Sequence, residues 1–297
     1  MNDCHIHFFS DQFFDSLGRQ RPPGSQQAAA DVVTALGWQA PGTPDELADR
    51  WAQELDRAGV GRAALIASVP GDEESVSLAV ARHPSRFVGF FMLDPTAPDA
   101  AARTEQALER KGLRCICLFP AMQRYSLHDS RVRAIVALAA KRAGTAVFVH
   151  CGALSVGVRK KLGLPSRFDV HFGNPLDLHP LAADFPDVPF IVPHFGAGLL
   201  REALLVADLC PNVYLDTSSS NRWISYHPGL TLADVFRQAV HVAGAERVIF
   251  GTDSSFFPRG WNRSVYDAQV SALRTAGVGE DDCQRILSGN FDRLFPA

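Results

Sequence analysis

Eight short apolar runs recur along this chain, each followed by a longer stretch with helical patterning, and this alternation restricts the fold more than any other feature. The runs are residues 4–9, 62–68, 87–92, 113–119, 146–150, 189–194, 212–216 and 247–252. They are too short for most helices and too uniformly apolar for strands with one wet face. They fit parallel strands buried on both sides. Between them, Thr43-Pro44-Asp45 supplies an N-cap and a proline at the first helical position, and Gly59 ends that helix. Further helices are expected from Asp72 to before Pro84, and over 99–111, 129–143, 197–209, 231–243, 264–276 and 280–288. Eight strand-then-helix units predict an α/β chain of one domain, a (β/α)8 TIM barrel. A doubly wound open sheet is the rival, but its GxGxxG after the first strand is absent.

Two connections are long, residues 10–43 and 151–188. Each follows the C-terminal end of a strand, where a barrel builds its active site, so both are expected over the barrel mouth. A chain of 297 residues buries enough core to do without disulfides. Four of its six cysteines, Cys4, Cys115, Cys117 and Cys151, lie in or directly after apolar runs, which predicts reduced thiols and a cytoplasmic location. Cys115-x-Cys117 lacks the two-residue spacer of a redox or zinc pair. Net charge is −3 with acids and bases interspersed, which argues against nucleic acid as a partner. The opening MNDCHIHFF has no basic segment before a long apolar one, and no run approaches the roughly 20 residues of a membrane span. A small-molecule substrate is the expected partner, with a homodimer as the default assembly.

Polar residues interrupt the apolar runs always at the same end. His5 and His7 are on run one, His150 ends run five, His194 ends run six, and Asp253 lies just past run eight. Side chains two apart on a strand share a face, so His5 and His7 both reach the barrel interior. Strands one and eight become neighbours on closure, which brings Asp253 beside that pair. Imidazoles with one carboxylate suit Zn2+, and also Mn2+, Fe2+ or Co2+. A single buried histidine is more often a core residue than a ligand. The repeated placement is what favours a metal site, since buried imidazoles need partners.

The segments DCHIHFF, VFVHCG, PHFGAG and VIFGTDSSF, in that order, resemble the amidohydrolase superfamily. More narrowly they are similar to its amidohydrolase-related branch, with aminocarboxymuconate-semialdehyde decarboxylase-like enzymes, aromatic acid decarboxylases, lactonases and hydratases. The likeness runs from Asp3 to the closing GNFDRLF and is most specific in GNPLDLHPLAADFPDVPFIVPHFGAG and the GTD segment. It implies a distorted (β/α)8 barrel, with His5, His7, His150 and Asp253 as metal ligands. By the same resemblance Asp253 also handles a proton, and His194 acts on water or substrate without holding the metal. Binuclear relatives carry a lysine or glutamate at the end of strand four, whereas this run ends Leu118-Phe119-Pro120, which implies one divalent ion, with Zn2+ expected. Pro193 departs from a regular strand and predicts a bend or an end just before His194.

Such a site activates water for attack on an ester, lactone or amide carbonyl, with Asp253 or His194 taking the proton. The alternative is nonoxidative decarboxylation of an aromatic or muconate-type acid. A barrel that has lost chemistry and only binds is a third reading, disfavoured because all five site positions hold competent residues. Arg124, His171, Arg222, Trp223 and Arg259 are candidates for gripping an anionic substrate, although solvated surface roles are the plainer reading of each arginine. Phe256, with Phe8, Phe9 and Phe257, either walls the site or packs the barrel. Asp216 either orients a ligand or caps the turn DTSSSN.

Overall fold

A computed structural model describes residues 1–22, 27–154, 156–218 and 221–296. The eight strands are β1 (Asn2–Phe8), β2 (Arg62–Ala67), β3 (Phe87–Leu93), β4 (Cys115–Leu118), β5 (Ala146–Val149), β6 (Phe190–Val192), β7 (Val213–Asp216) and β8 (Val248–Ile249). They form one parallel sheet in chain order, β1 to β8. The ring closes through Cys4 N to Phe250 O at 2.9 Å and His7 N to Ser254 O at 2.7 Å. The fold is a (β/α)8 TIM barrel, as the alternation of runs predicts.

Inward residues alternate along each strand. Ala64 and Ile66, Phe90 and Met92, Cys115 and Cys117, and Ala146 and Phe148 fill the barrel, whereas Leu65, Phe91, Ile116 and Val147 pack outward against the helices. The closing helix Asn290–Leu294 brings Phe291 and Leu294, followed by Phe295, to the inner cluster.

β1 breaks the alternation once. Asp3 pairs with Ala63 but Ile6 pairs with Leu65, so β1 carries one extra residue there. The bulge lets Cys4 pack into the inner cluster while Ile6 and Phe8 pack outward, and leaves His5 and His7 facing inward.

The insertion after β1 contains helices α1 (Asp11–Gly18) and α2 (Ala29–Leu36), which its Gln-, Pro- and Gly-rich composition does not announce. Phe13, Phe14, Leu17, Val32 and Val33 form a small second core with Val158 and Leu164 of the insertion after β5. The two insertions therefore support one another above the barrel. Residues 23–26, 155, 219–220 and 297 lie outside the described residues. The helix α3 (Pro44–Ala58) starts in a capping box between Thr43 and Glu46 and ends at Gly59, which has φ 72°. The segment predicted as one helix over 280–288 divides into Glu280–Gln284 and a wider turn, Arg285–Gly289, before the closing helix. All six cysteines are unpaired thiols. Among the described residues no helix is long and apolar enough to cross a membrane.

Candidate metal centre

His150 and Ser68 arrive by continuing the inward alternation of their strands, 146–148–150 on β5 and 64–66–68 on β2. His194 arrives differently. Ile191 faces in and Val192 faces out, so a regular strand would turn His194 toward the helices. Instead β6 ends at Val192, before Pro193, and His194 and Phe195 take left-handed φ values of 55° and 51°. The break anticipated at Pro193 is what swings His194 into the site. Asp253 is also left-handed, with φ 56°. Each such residue costs about 1–3 kcal/mol, sustained by the surrounding packing, and such strain gathers at functional sites.

The donor atoms of His5, His7 and Asp253 all lie within 4.8 Å of one another. His7 Nε2 is 3.2 Å and His5 Nε2 is 3.7 Å from the same oxygen, Asp253 Oδ1. His150 is buried and stands outside this trio, its ring 5.2 Å from that of His194 and stacked on Phe119 at 5.3 Å. The structure thus brings three of the four expected ligands into one cluster and sets the fourth on the wall beside His194. The Nδ1 of His150 has no hydrogen-bond partner among the described residues.

Hydrogen bonds settle where the imidazole protons sit. Ser68 Oγ gives its proton to Ile66 O at 2.9 Å, so at 2.8 Å it accepts from His7 Nδ1. His194 Nδ1 donates to the Ser218 carbonyl at 3.0 Å, an oxygen that only accepts. His5 Nδ1 donates to Asp216 Oδ2 at 2.7 Å. All three histidines therefore have a proton on Nδ1, and in their neutral form Nε2 carries a bare lone pair. Two of those lone pairs point at a carboxylate oxygen. That arrangement is repulsive unless a cation or an extra proton lies between.

Burial pushes the pKa of His7 down, and does the same to His194. Burial, reinforced by His194 and His5, lowers His150 well below the usual imidazole range. These three are held neutral, the form that binds metal. For His5 burial acts downward, but Asp216 and Asp253 outweigh it and the net shift is upward. Burial also acts to raise Asp253, but its contacts with His7, His5 and His194 outweigh that and hold it well below the usual carboxylate range. A divalent cation fits this donor set, because it replaces the missing positive charge at the carboxylate without protonating a buried ring.

Residues that hold the cluster were less visible in the sequence. Asp216 performs both roles weighed for it: Oδ2 takes the His5 proton and Oδ1 accepts Ser218 N at 2.6 Å. Asp3 is fully buried and ties β1 to the loop after β8. It accepts from His5 N at 3.0 Å, Thr252 N at 3.1 Å, Thr252 Oγ1 at 2.5 Å and Trp261 Nε1 at 2.8 Å. Ser68 was detectable as the polar residue on an apolar inward row. Gly152, with φ 73°, lets the loop after β5 approach the loop after β6, where a Cβ would overlap Gly196 O.

The cluster lies at the wall of a cavity of about 870 Å3. Phe256 and Arg259, two of the candidates for substrate contact, line it. The other candidates for substrate contact are placed elsewhere. Arg124 is 60% exposed beside Asp169, and His171 is 93% exposed and bonded to the same aspartate. Arg222 is exposed, and Trp223 is buried against His227 in the helical turn after β7. None of the four lines the cavity, although Met122, Gln123, Arg167 and Phe168 of the same loops do. Phe8 and Phe257 pack in the outer core, while Phe9 lines the cavity. Trp38, Arg159, Lys161 and Arg167 also line it. They come from the two insertions, where no strand or helix period marks a residue as inward.

Several known proteins are similar to this chain. Protein fluG of Emericella nidulans is 32% identical over 98 residues, a stretch covering 32% of this chain and only 11% of that protein. The 5-carboxyvanillate decarboxylase of Sphingomonas paucimobilis superposes with a TM-score of 0.65 at 16% identity, covering 99% of this chain and 98% of that one. A probable 2-pyrone-4,6-dicarboxylic acid hydrolase of Acinetobacter baumannii, with citric acid bound, gives 0.63 at 14% over 100% and 99%. The manganese complex of 5-carboxyvanillate decarboxylase from Novosphingobium aromaticivorans gives 0.62 at 14% over 100% and 95%. At these identities the structures speak for the barrel itself. The amidohydrolase family model matches residues 2–297, and this chain accordingly belongs to the amidohydrolase family.

Proposed function

We propose that the protein is a metal-dependent hydrolase of a small ester, lactone or amide, with one divalent ion held by His5, His7 and Asp253 and with His150 available to complete the set. The observation that carries this reading is the pair of Nε2 lone pairs aimed at Asp253 Oδ1, with the Nδ1 protons of both rings engaged by Asp216 and Ser68. A divalent ion there supplies Lewis acidity, which polarises a bound oxygen and makes a water nucleophilic near neutral pH. Two imidazoles and a carboxylate accept Zn2+, the preferred candidate, and also Mn2+, Fe2+ or Co2+.

His194 does not share the ligand cluster. Its Nδ1 proton is committed to Ser218 O, so Nε2 is the basic atom. Burial keeps the ring neutral at pH 7, so it takes a proton from attacking water and returns it to the leaving group. Asp253 stays ionised and accepts a proton at its other oxygen only as charge develops.

A nonoxidative decarboxylase is the second reading, favoured by the likeness to two 5-carboxyvanillate decarboxylases and by a cation, Arg259, within the cavity. In that case His194 Nε2 first takes a proton from water and then delivers it to the carbon that loses CO2. The test joins elemental analysis of purified protein to a screen of lactones, esters, amides and aromatic acids, on wild type and Asp253→Ala. Lactone or ester cleavage supports the first reading and CO2 release the second. Absence of both bound metal and metal-stimulated turnover would overturn the metalloenzyme.

A further inference from the structure

Four cations line the cavity, Arg159, Lys161, Arg167 and Arg259. Among the described residues none of the four forms an ion pair with a carboxylate. Elsewhere Arg62, Arg86, Arg131 and Arg133 each hold an acid, whereas Arg50 and Arg247 donate to backbone carbonyls. The two acids lining the cavity are already engaged. Asp253 faces the histidines, and Asp94 accepts from Thr96 N at 2.9 Å and Thr96 Oγ1 at 2.7 Å.

The cations are held in place by neutral groups. Arg159 Nη1 donates to Gln20 Oε1 at 2.6 Å and Nη2 to Pro165 O at 2.6 Å, which links the two insertions and leaves the charge uncancelled. Trp38 and Phe256 stack with centroids 4.0 Å apart and planes 7° from parallel. Lys161 Nζ lies 5.6 Å from the Trp38 ring centre and 5.9 Å from that of Phe256. Arg259 sits 4.6 Å over the Phe256 ring and donates to Asp253 O at 3.2 Å. A line of positive charge thus runs from the backbone of a proposed ligand outward to the insertion after β5, along an aromatic wall. Such a lined cleft concentrates anions and fixes their orientation.

We infer that this cation-lined part of the cavity is a subsite for a second anionic group, a carboxylate or a phosphate, on an aromatic or similarly planar substrate whose reacting group lies at the His5–His7–Asp253 cluster. The inference rests on the proposed function for the position of the reacting end, and it narrows the substrate to molecules with an acidic group remote from the bond that changes.

The test is calorimetric titration of the protein as purified, its metal content measured on the same sample. The probes are isophthalate, 3-carbamoylbenzoate and 3-phosphonobenzoate. Isophthalate should bind about tenfold more tightly than its amide analogue at low salt, with the advantage shrinking in 0.5 M NaCl, because exposed charges are screened. In the Lys161→Gln/Arg167→Gln double variant, where both side chains are exposed and an unchanged Tm is expected, the two probes should converge. Tighter binding of 3-phosphonobenzoate than of isophthalate supports the subsite and assigns it to phosphate. Equal binding of isophthalate and 3-carbamoylbenzoate overturns the subsite, as does a preference that survives the double variant. Dianion preference in a sample with neither bound metal nor metal-stimulated turnover leaves the subsite standing and removes the metal reading, whereas bound metal without that preference does the opposite.

Discussion

Asp216 Oδ2 stands 2.7 Å from His5 Nδ1, and both residues are buried. The bond holds the ring orientation and its tautomer, so that His5 Nε2 meets Asp253. Partners of this kind are worth about 10–100-fold in metal affinity. Asp216→Asn keeps the shape and removes the charge. Its affinity for Zn2+ or Mn2+, measured by competition with a chromophoric chelator, should fall by about that factor. Unchanged affinity would show that Asp216 serves only the Ser218 turn.

His7 and His194 should separate binding from chemistry. His7→Ala should lose the metal, because it removes the nitrogen 3.2 Å from Asp253. His194→Ala should retain most of the metal and lose about 10²–10⁴ in kcat, the usual range for a general acid–base group. Elemental analysis and steady-state rates on both variants check this. Complete metal loss in His194→Ala would make His194 a ligand.

Gly251 tests how closely the supporting residues are packed. A Cβ there would lie 2.7 Å from Asp216 Oδ1, 2.9 Å from His5 Cβ and 3.2 Å from Ser218 Cβ. Gly251→Ala should cost about 1–3 kcal/mol in urea unfolding, the range for overpacking, and should weaken metal binding as His5 shifts. A wild-type urea midpoint together with wild-type affinity would show that these side chains can give way.

Asp72 should shape the pH dependence of stability. It is buried, and accepts from Ser10 Oγ, the N-cap of α1, and from Ser75 Oγ, each at 2.5 Å. Burial pushes its carboxyl up to about 6, against the pull of both serine bonds. An acid with a raised native pKa binds its proton more tightly when folded. Its contribution to stability is full below the unfolded value near 4 and is lost as pH rises through 6. Between pH 4 and pH 7, chelator-treated Asp72→Asn should therefore gain on wild type by on the order of 1–3 kcal/mol in urea unfolding. A difference that stays constant across this range would rule out the raised pKa.

Legibility in the sequence followed geometry. His5, His7 and His150 lie on strands or one residue beyond, where a period of two carries through, so their inward direction could be read directly. Ser68 obeys the same period and was open to the same reading. His194 and Asp253 were recognisable by position but not by direction, because each depends on a left-handed residue that reverses the chain. Arg124, His171, Arg222 and Trp223 show the limit in the other direction. Being in a loop after the correct strand end does not say which of its side chains faces the cavity.

The order of apolar runs determined the barrel, because parallel strands buried on both faces leave few other solutions for eight strand–helix units. The polar residues at the ends of those runs determined which side chains gather at its mouth. Only the tertiary structure decided which nitrogen of each histidine is free, which acids support the rings and which cations face the cavity. Those features depend on contacts such as that between His5 and Asp216, 211 positions apart, and between insertions whose mutual packing no local period encodes.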